Sequence, residues 1–232
     1  APLYLGKIPT ATVPSSWRDL KVYNDHVFIV SEAAGHGMQV FDLKQLRGLD
    51  SKQNFTADYV YSGYGHSHNI AINTDSGYAY TAGAGSSNDP VGIHALNISN
   101  PLAPALELQL SDYGYSHDAQ IVNYKGPDSD HYGKEIYMGS NETKVVFVDV
   151  TDKNNPELIE ARRKKLPIIT RGRMLAHIVS LMKNIVVVGS HGKTTTTSLI
   201  TSILQKTKLD PTIINGGAVS YTHLTLPTKR IV

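Results

Sequence analysis

The chain has no cysteine, which excludes a disulfide framework, a thiolate metal site and a cysteine nucleophile. No apolar run approaches the roughly 18 residues that a membrane span needs. Residues 1–20 also lack the basic stretch followed by an apolar one that marks an intact signal peptide. A net charge of +2 over 232 residues gives no reason to expect a nucleic-acid partner. What remains is a chain with 41% hydrophobic and 18% charged residues, long enough for one or two domains with a sizeable core.

The second half also lacks aromatics. All four Phe, the single Trp17 and every Tyr except Tyr221 precede Asn154. The charge breaks at the same place. Residues 1–153 hold ten Lys and Arg against seventeen Asp and Glu, whereas residues 154–232 hold twelve against three. A basic second half can be a solvated tail, but this one carries Ile, Leu and Val runs at element spacing. The break predicts two unlike sequences joined near Asn154.

The first half repeats. Its blocks start at Trp17, His68 and His117, 51 and 49 residues apart. Each holds short β-type runs parted by Gly, Asn, Asp and Ser turns: Val27–Val30 and Met38–Leu43, then Tyr78–Tyr80 and Gly92–Leu96, then Glu135–Met138 and Val145–Val150. A period near 50 with three or four strands per unit predicts propeller blades. Val146–Pro156 resembles an LVIVD repeat. Ser16–Tyr23, Ser31–Leu43 and Ser116–Gln120 resemble the choice-of-anchor B branch of that family. The resemblance covers residues 1–159 and implies an extracytoplasmic binding or scaffold β-propeller of unknown ligand. Ala1–Lys7 resembles the exit of an earlier blade, so the secretion signal and first blades are expected to be missing.

Within this half, Arg18, Asp19, His68, His117 and Asp118 stand near the block starts. In a propeller the first strand is innermost, so they are candidates to ring a channel, where imidazoles and a carboxylate can take a divalent metal. The competing reading makes them strand-end residues that satisfy turns and backbone. His66 and His68 form an H-x-H pair inside a Gly/Ser turn, and His36 between Gly35 and Gly37 reads as a loop residue.

From Asn154 onward the pattern becomes α/β. Leu166–Thr170 predicts a short strand. Residues 173–183 predict a helix with Met174, Leu175, Ile178, Val179 and Met182 on one face, and Ile185–Val188 predicts a buried parallel strand. That strand would lead through Gly189, Ser190, His191, Gly192, Lys193, Thr194 and Thr195 into a helix ending near Lys206. Glycines let backbone N–H groups turn to an anion, and the helix N-terminus adds its dipole. Lys193 would reach the β- and γ-phosphates and the Thr194 hydroxyl would ligate Mg²⁺. Val187 stands where the general G-x-x-x-x-G-K-[ST] pattern has its first glycine. An ordinary glycine-rich turn therefore stays as the alternative.

Arg163–Ala176, the Gly189–Thr197 loop and Leu209–Gly217 resemble the Mur ligases, with Ser190 where that family usually has Thr. The similarity covers residues 154–218 and is to the cytoplasmic peptidoglycan-precursor ligase that joins L-alanine to UDP-N-acetylmuramate. It implies ATP and Mg²⁺ as cofactors and a carboxylate activated as an acyl phosphate. Gly189, Gly192, Lys193 and Thr194 are the positions that carry across. The family's uridine-binding loop, later Mg²⁺-binding acid, carbamylated lysine and C-terminal domain have no counterpart in this sequence.

Asn154–Ile159 fits both resemblances, and the compartments they imply conflict. Val219–Thr228 resembles translated sequencing adapter, so residues 219–232 read as an artefactual tail. The expected fold is mixed and mainly β. A partial β-propeller of about three blades (1–153) precedes a truncated α/β P-loop unit (154–218). The expected function is that of a chimeric chain with no intact activity. The alternative is a genuine ligase-like nucleotide-binding protein fused to a propeller.

Overall fold

The computed structural model describes residues 2–86, 89–141, 144–160, 169, 171–181, 183–207 and 211–213. The chain divides into two compact units, Ala1–Leu166 and Pro167–Val232. The first is all β. Strands β1 (Gly6–Lys7) and β5 (Gln53–Asn54) form a small parallel pair. Three four-stranded antiparallel sheets follow the three sequence blocks. Sheet I has the order β2 (Arg18–Tyr23), β3 (His26–Ser31), β4 (Met38–Asp42), β6 (Tyr59–Tyr61). Sheet II runs β7 (Asn69–Asn73), β8 (Tyr78–Ser86), β9 (Asp89–Asn97), β10 (Ala105–Leu110). Sheet III runs β11 (Ser116–Asn123), β12 (Glu135–Asn141), β13 (Val145–Asp149), β14 (Glu157–Leu158).

Local chemistry sets the hairpins. Tyr23 pairs with His26, leaving Asn24 and Asp25 as a two-residue turn with φ of 48° and 59°. Both residues tolerate the left-handed region, and a turn of that hand matches the strand twist. Side-chain alternation then divides the interior in two. Phe28, Val30, Met38 and Val40 of sheet I meet Ile70, Ala79 and Leu96 of sheet II in one core. The sequence neighbours Ala71, Tyr80 and Ala95 point to the opposite face and meet Ile121, Tyr137, Val146 and Val148 of sheet III in a second core. Strands β7, β8 and β9 of sheet II are thus covered on both faces, whereas the edge strand β10 is mostly exposed.

The expected partial β-propeller is corrected by this arrangement. The sheets remain separate and open, and among the described residues none closes into a ring. The repeat fixes what each unit is but not how many are joined or whether the last meets the first. Sheet III keeps an open cleft of about 650 Å³ on its second face, lined by Val122, Met138, Phe147 and Ile159.

The truncated α/β unit is corrected as well. The described residues of the second unit hold two helices, α1 (Arg171–Ser180) and α2 (Lys193–Leu204), and no strand. Ile185, Val186 and Val188 are 64%, 66% and 83% exposed rather than buried in a sheet. An apolar run becomes a parallel strand only when partner strands cover it, and none lies beside it among the described residues. The expected strand at 166–170, apart from Ile169, and the tail at 219–232 lie outside the described residues. No described helix is long and apolar enough to cross a membrane.

One buried carboxylate ties sheet III to pH. Asp149 accepts from the Lys134 ammonium at 2.7 Å and from the Thr151 hydroxyl at 2.7 Å. Burial works against its charge, but these hydrogen bonds outweigh burial and hold the carboxyl below its ordinary value. A lowered folded-state value contributes stability above the unfolded-state value, and that contribution fades as pH falls through the folded one. Urea unfolding from neutral pH to below about pH 4 is therefore expected to show a smaller acid-induced loss in Asp149→Asn than in the parent. An identical loss in both would remove Asp149 as a source of acid sensitivity.

Candidate functional site

The loop before α2 is built by its glycines. Gly189 has φ 153° and Gly192, the residue before the helix, sits in the left-handed region at φ 76°. Gly192 offers no side chain to cap the helix, and the first turn of α2 contains no acidic residue. The N-terminal dipole therefore meets no carboxylate of its own turn. Lys193 folds its ammonium back over the loop and donates to the Gly189 carbonyl at 2.6 Å and the Ser190 carbonyl at 2.9 Å. Ser190, His191, Thr194 and Thr195 all lie at the exposed surface around it. The loop gathers an exposed cation and a helix N-terminus around one small volume.

The residues near the block starts separate into different environments. Arg18 donates to the Thr10 hydroxyl at 2.9 Å and lies 3.3 Å from Nε2 of the buried His36. Asp19 accepts from Lys21 at 2.8 Å and from the Ile70 backbone N–H at 3.1 Å. Asp118 accepts from the backbone N–H of Ala119 at 2.7 Å. These three act as strand-end and inter-sheet partners. His68 and His117 are different, because their ring centroids stand 4.2 Å apart. Trp17, the equivalent position of the first block, lies 6.1 Å from His68. Among the described residues no group of three or more His, Cys, Asp or Glu is arranged to hold a metal ion.

Sequence reasoning missed Glu32, which accepts from Nδ1 of His68 at 2.6 Å. The missing signal was register. Arg18 pairs with Ser31, so Glu32 lies beside Trp17, whose carbonyl accepts the Glu32 backbone N–H at 3.2 Å. Nothing in residue spacing along the chain joins positions 32 and 68.

A left-handed glycine, a lysine at the first helical position and a bare helix N-terminus make up the loop-to-helix class of anion-receiving elements. Known proteins narrow the class. The chain is 69% identical over 78 residues to the UDP-N-acetylmuramate–L-alanine ligase of Pelagibacter ubique (strain HTCC1062), a stretch covering 34% of this chain and 17% of that protein. It is 37% identical over 136 residues to the ligase of the same name from Rickettsia prowazekii (strain Madrid E), covering 55% of this chain and 28% of the relative. The Brucella ovis ligase is 40% identical over 114 residues, covering 49% of this chain and 24% of its own. Part of the chain is therefore homologous to Mur ligases, and it spans 17% to 28% of the length of these relatives. No family model matches the chain, so the LVIVD resemblance finds no support there, and no solved structure matches it.

Proposed function

We propose that Gly189–Thr195 is the ATP-phosphate loop of a UDP-N-acetylmuramate–L-alanine ligase segment that takes in residues 154–218 and, because the matches run over 78 to 136 residues, extends beyond them. The segment's compartment on this reading is the cytoplasm. The supporting observation is the Lys193 ammonium resting on the Gly189 and Ser190 carbonyls beside an uncapped helix N-terminus. An incoming triphosphate offers that ammonium charged oxygens in place of neutral carbonyls, and charge-assisted bonds are about twice as strong. Backbone donors of the first turn would face the same phosphates, and the Thr194 hydroxyl would hold the accompanying Mg²⁺. Bound together, ATP and Mg²⁺ supply activation of a carboxylate for attack by an amine. This chain's residues contribute phosphate binding and orientation. Ligation also needs groups that position the acid and the amine, so the 232-residue chain is expected to bind nucleotide without turning it over.

Calorimetric titration of the full chain with Mg-ATP tests this. Saturable binding is expected, weakened about 10- to 100-fold in Lys193→Ala, the scale of losing a hydrogen bond to a charged group. Lys193→Arg, which keeps the charge, is expected to fall between the two. Absence of saturable binding, or equal affinity in Lys193→Ala, overturns the assignment.

A further inference from the structure

The first unit carries a cluster of its own, far in sequence from the phosphate loop. The starts of β2, β7 and β11 bring Trp17, His68 and His117 together, and Tyr115 packs on both imidazoles at 6.4 and 6.5 Å. Space for this cluster is made at Gly83. It has φ 62°, and a Cβ there would stand 2.8 Å from the Tyr115 ring and 3.2 Å from the His68 Cβ. The cluster is polarised. The Glu32 carboxylate accepts, so His68 carries a proton on Nδ1, and in the neutral imidazole Nε2 then holds the lone pair. A carboxylate holding the distal N–H of an imidazole is the usual outer support of a metal-binding histidine, fixing its tautomer and raising its basicity.

We propose that His68 and His117 form a two-imidazole site for a borderline divalent cation such as Zn²⁺, with Glu32 as the positioning residue for His68. Two imidazoles on one tetrahedral ion, with Zn–N of about 2.0–2.1 Å, place their centroids roughly 5 Å apart. The observed 4.2 Å is within about 1 Å of that, a change that small side-chain rotations supply. The pair is also reachable. The His68 side chain is 15% exposed, His117 is exposed, and Trp17 is 61% exposed beside them. Two protein ligands leave the remaining coordination positions to water or to an anionic or carbonyl ligand, so the site is of the open type. Trp17 adds an apolar wall for such a ligand. Arg18, Asp19 and Asp118 are committed to their strand-end and inter-sheet partners and stand outside the ligand set.

The test is calorimetric titration of the chelator-treated full chain with Zn²⁺ alone. One equivalent is expected to bind. His117→Ala, at an exposed position where the fold is retained, is expected to weaken binding at least about tenfold, and His68→Ala likewise. Glu32→Ala is expected to weaken it about 10- to 100-fold, whereas Glu32→Gln, whose amide oxygen still accepts from Nδ1, recovers most of the affinity. A merely structural Glu32 would not give that split. His66→Ala is expected to bind as the parent does. Absence of saturable binding, or affinity unchanged in His117→Ala at unaltered circular dichroism, overturns the site and leaves the ring pair as a packing contact.

Discussion

Glu135→Ala is expected to lower the unfolding free energy of the β unit by about 3–5 kcal/mol, the cost of leaving one member of a buried ion pair alone. Glu135 and Lys153 are 5% and 9% exposed, and their charged atoms meet at 2.9 Å. The other Glu135 oxygen accepts from the Asn73 amide and the Ser76 hydroxyl, both at 2.7 Å. Lys153 also donates to the Val150 carbonyl at 2.7 Å and lies 4.1 Å above the Tyr78 ring. Burial first, and then the Glu135 charge, push the nearby Tyr80 phenol far above its ordinary value, so that hydroxyl stays neutral. The network joins sheets II and III, so the alanine variant strands the Lys153 ammonium at their junction. Urea denaturation measures the loss. The double variant Glu135→Leu with Lys153→Met removes both charges and is expected to fall within about 1–2 kcal/mol of the parent. If the single variant costs as little as the double, the network does not hold the two sheets in register.

That network shows what could be read from the sequence and what could not. The runs Val27–Val30, Met38–Leu43 and Val145–Val150 match strands of the structure to within a residue at their ends, and Gly92–Leu96 lies inside the longer Asp89–Asn97, because alternation and turn chemistry act over short stretches. Helices were equally local, and Arg171–Ser180 and Lys193–Leu204 lie where the apolar spacing placed them. Assembly was not legible. A period near 50 describes a unit, and the same unit serves a closed ring or an open array of sheets. Ile185–Val188 failed for a related reason, since its apolarity specifies burial without supplying a neighbour to bury it. Within the candidate sites, the period itself brought Trp17, His68 and His117 to equivalent positions. Glu32 and Glu135 take their meaning from cross-strand and cross-sheet partners 36 and 62 residues away, a distance that composition and spacing do not encode.

The second large effect is expected in hydrogen exchange. Amides of Phe28, Tyr80 and Leu96, strand residues whose own side chains are wholly buried, are expected to be protected about 10⁴-fold or more, the scale of global unfolding. Those of α2 are expected to exchange close to the unfolded-chain rate. Twelve residues is a marginal length for an isolated helix. Thr194–Thr197 and Thr201 are β-branched, which costs side-chain freedom on a helix. No residue of α2 is buried, and Leu199 and Ile203 are 61% and 65% exposed, so its apolar stripe gains little from packing. With neither a side-chain cap nor a first-turn acid, what stabilises its N-terminus must come from outside the helix. If the phosphate-loop assignment is right, Mg-ATP supplies that anion, and protection is expected to rise at the start of α2 and leave Phe28 and Tyr80 unchanged. Protection of α2 equal to that of the buried strands without nucleotide would mean that its exposed stripe is covered in solution, and the helix would then not depend on a ligand for its order.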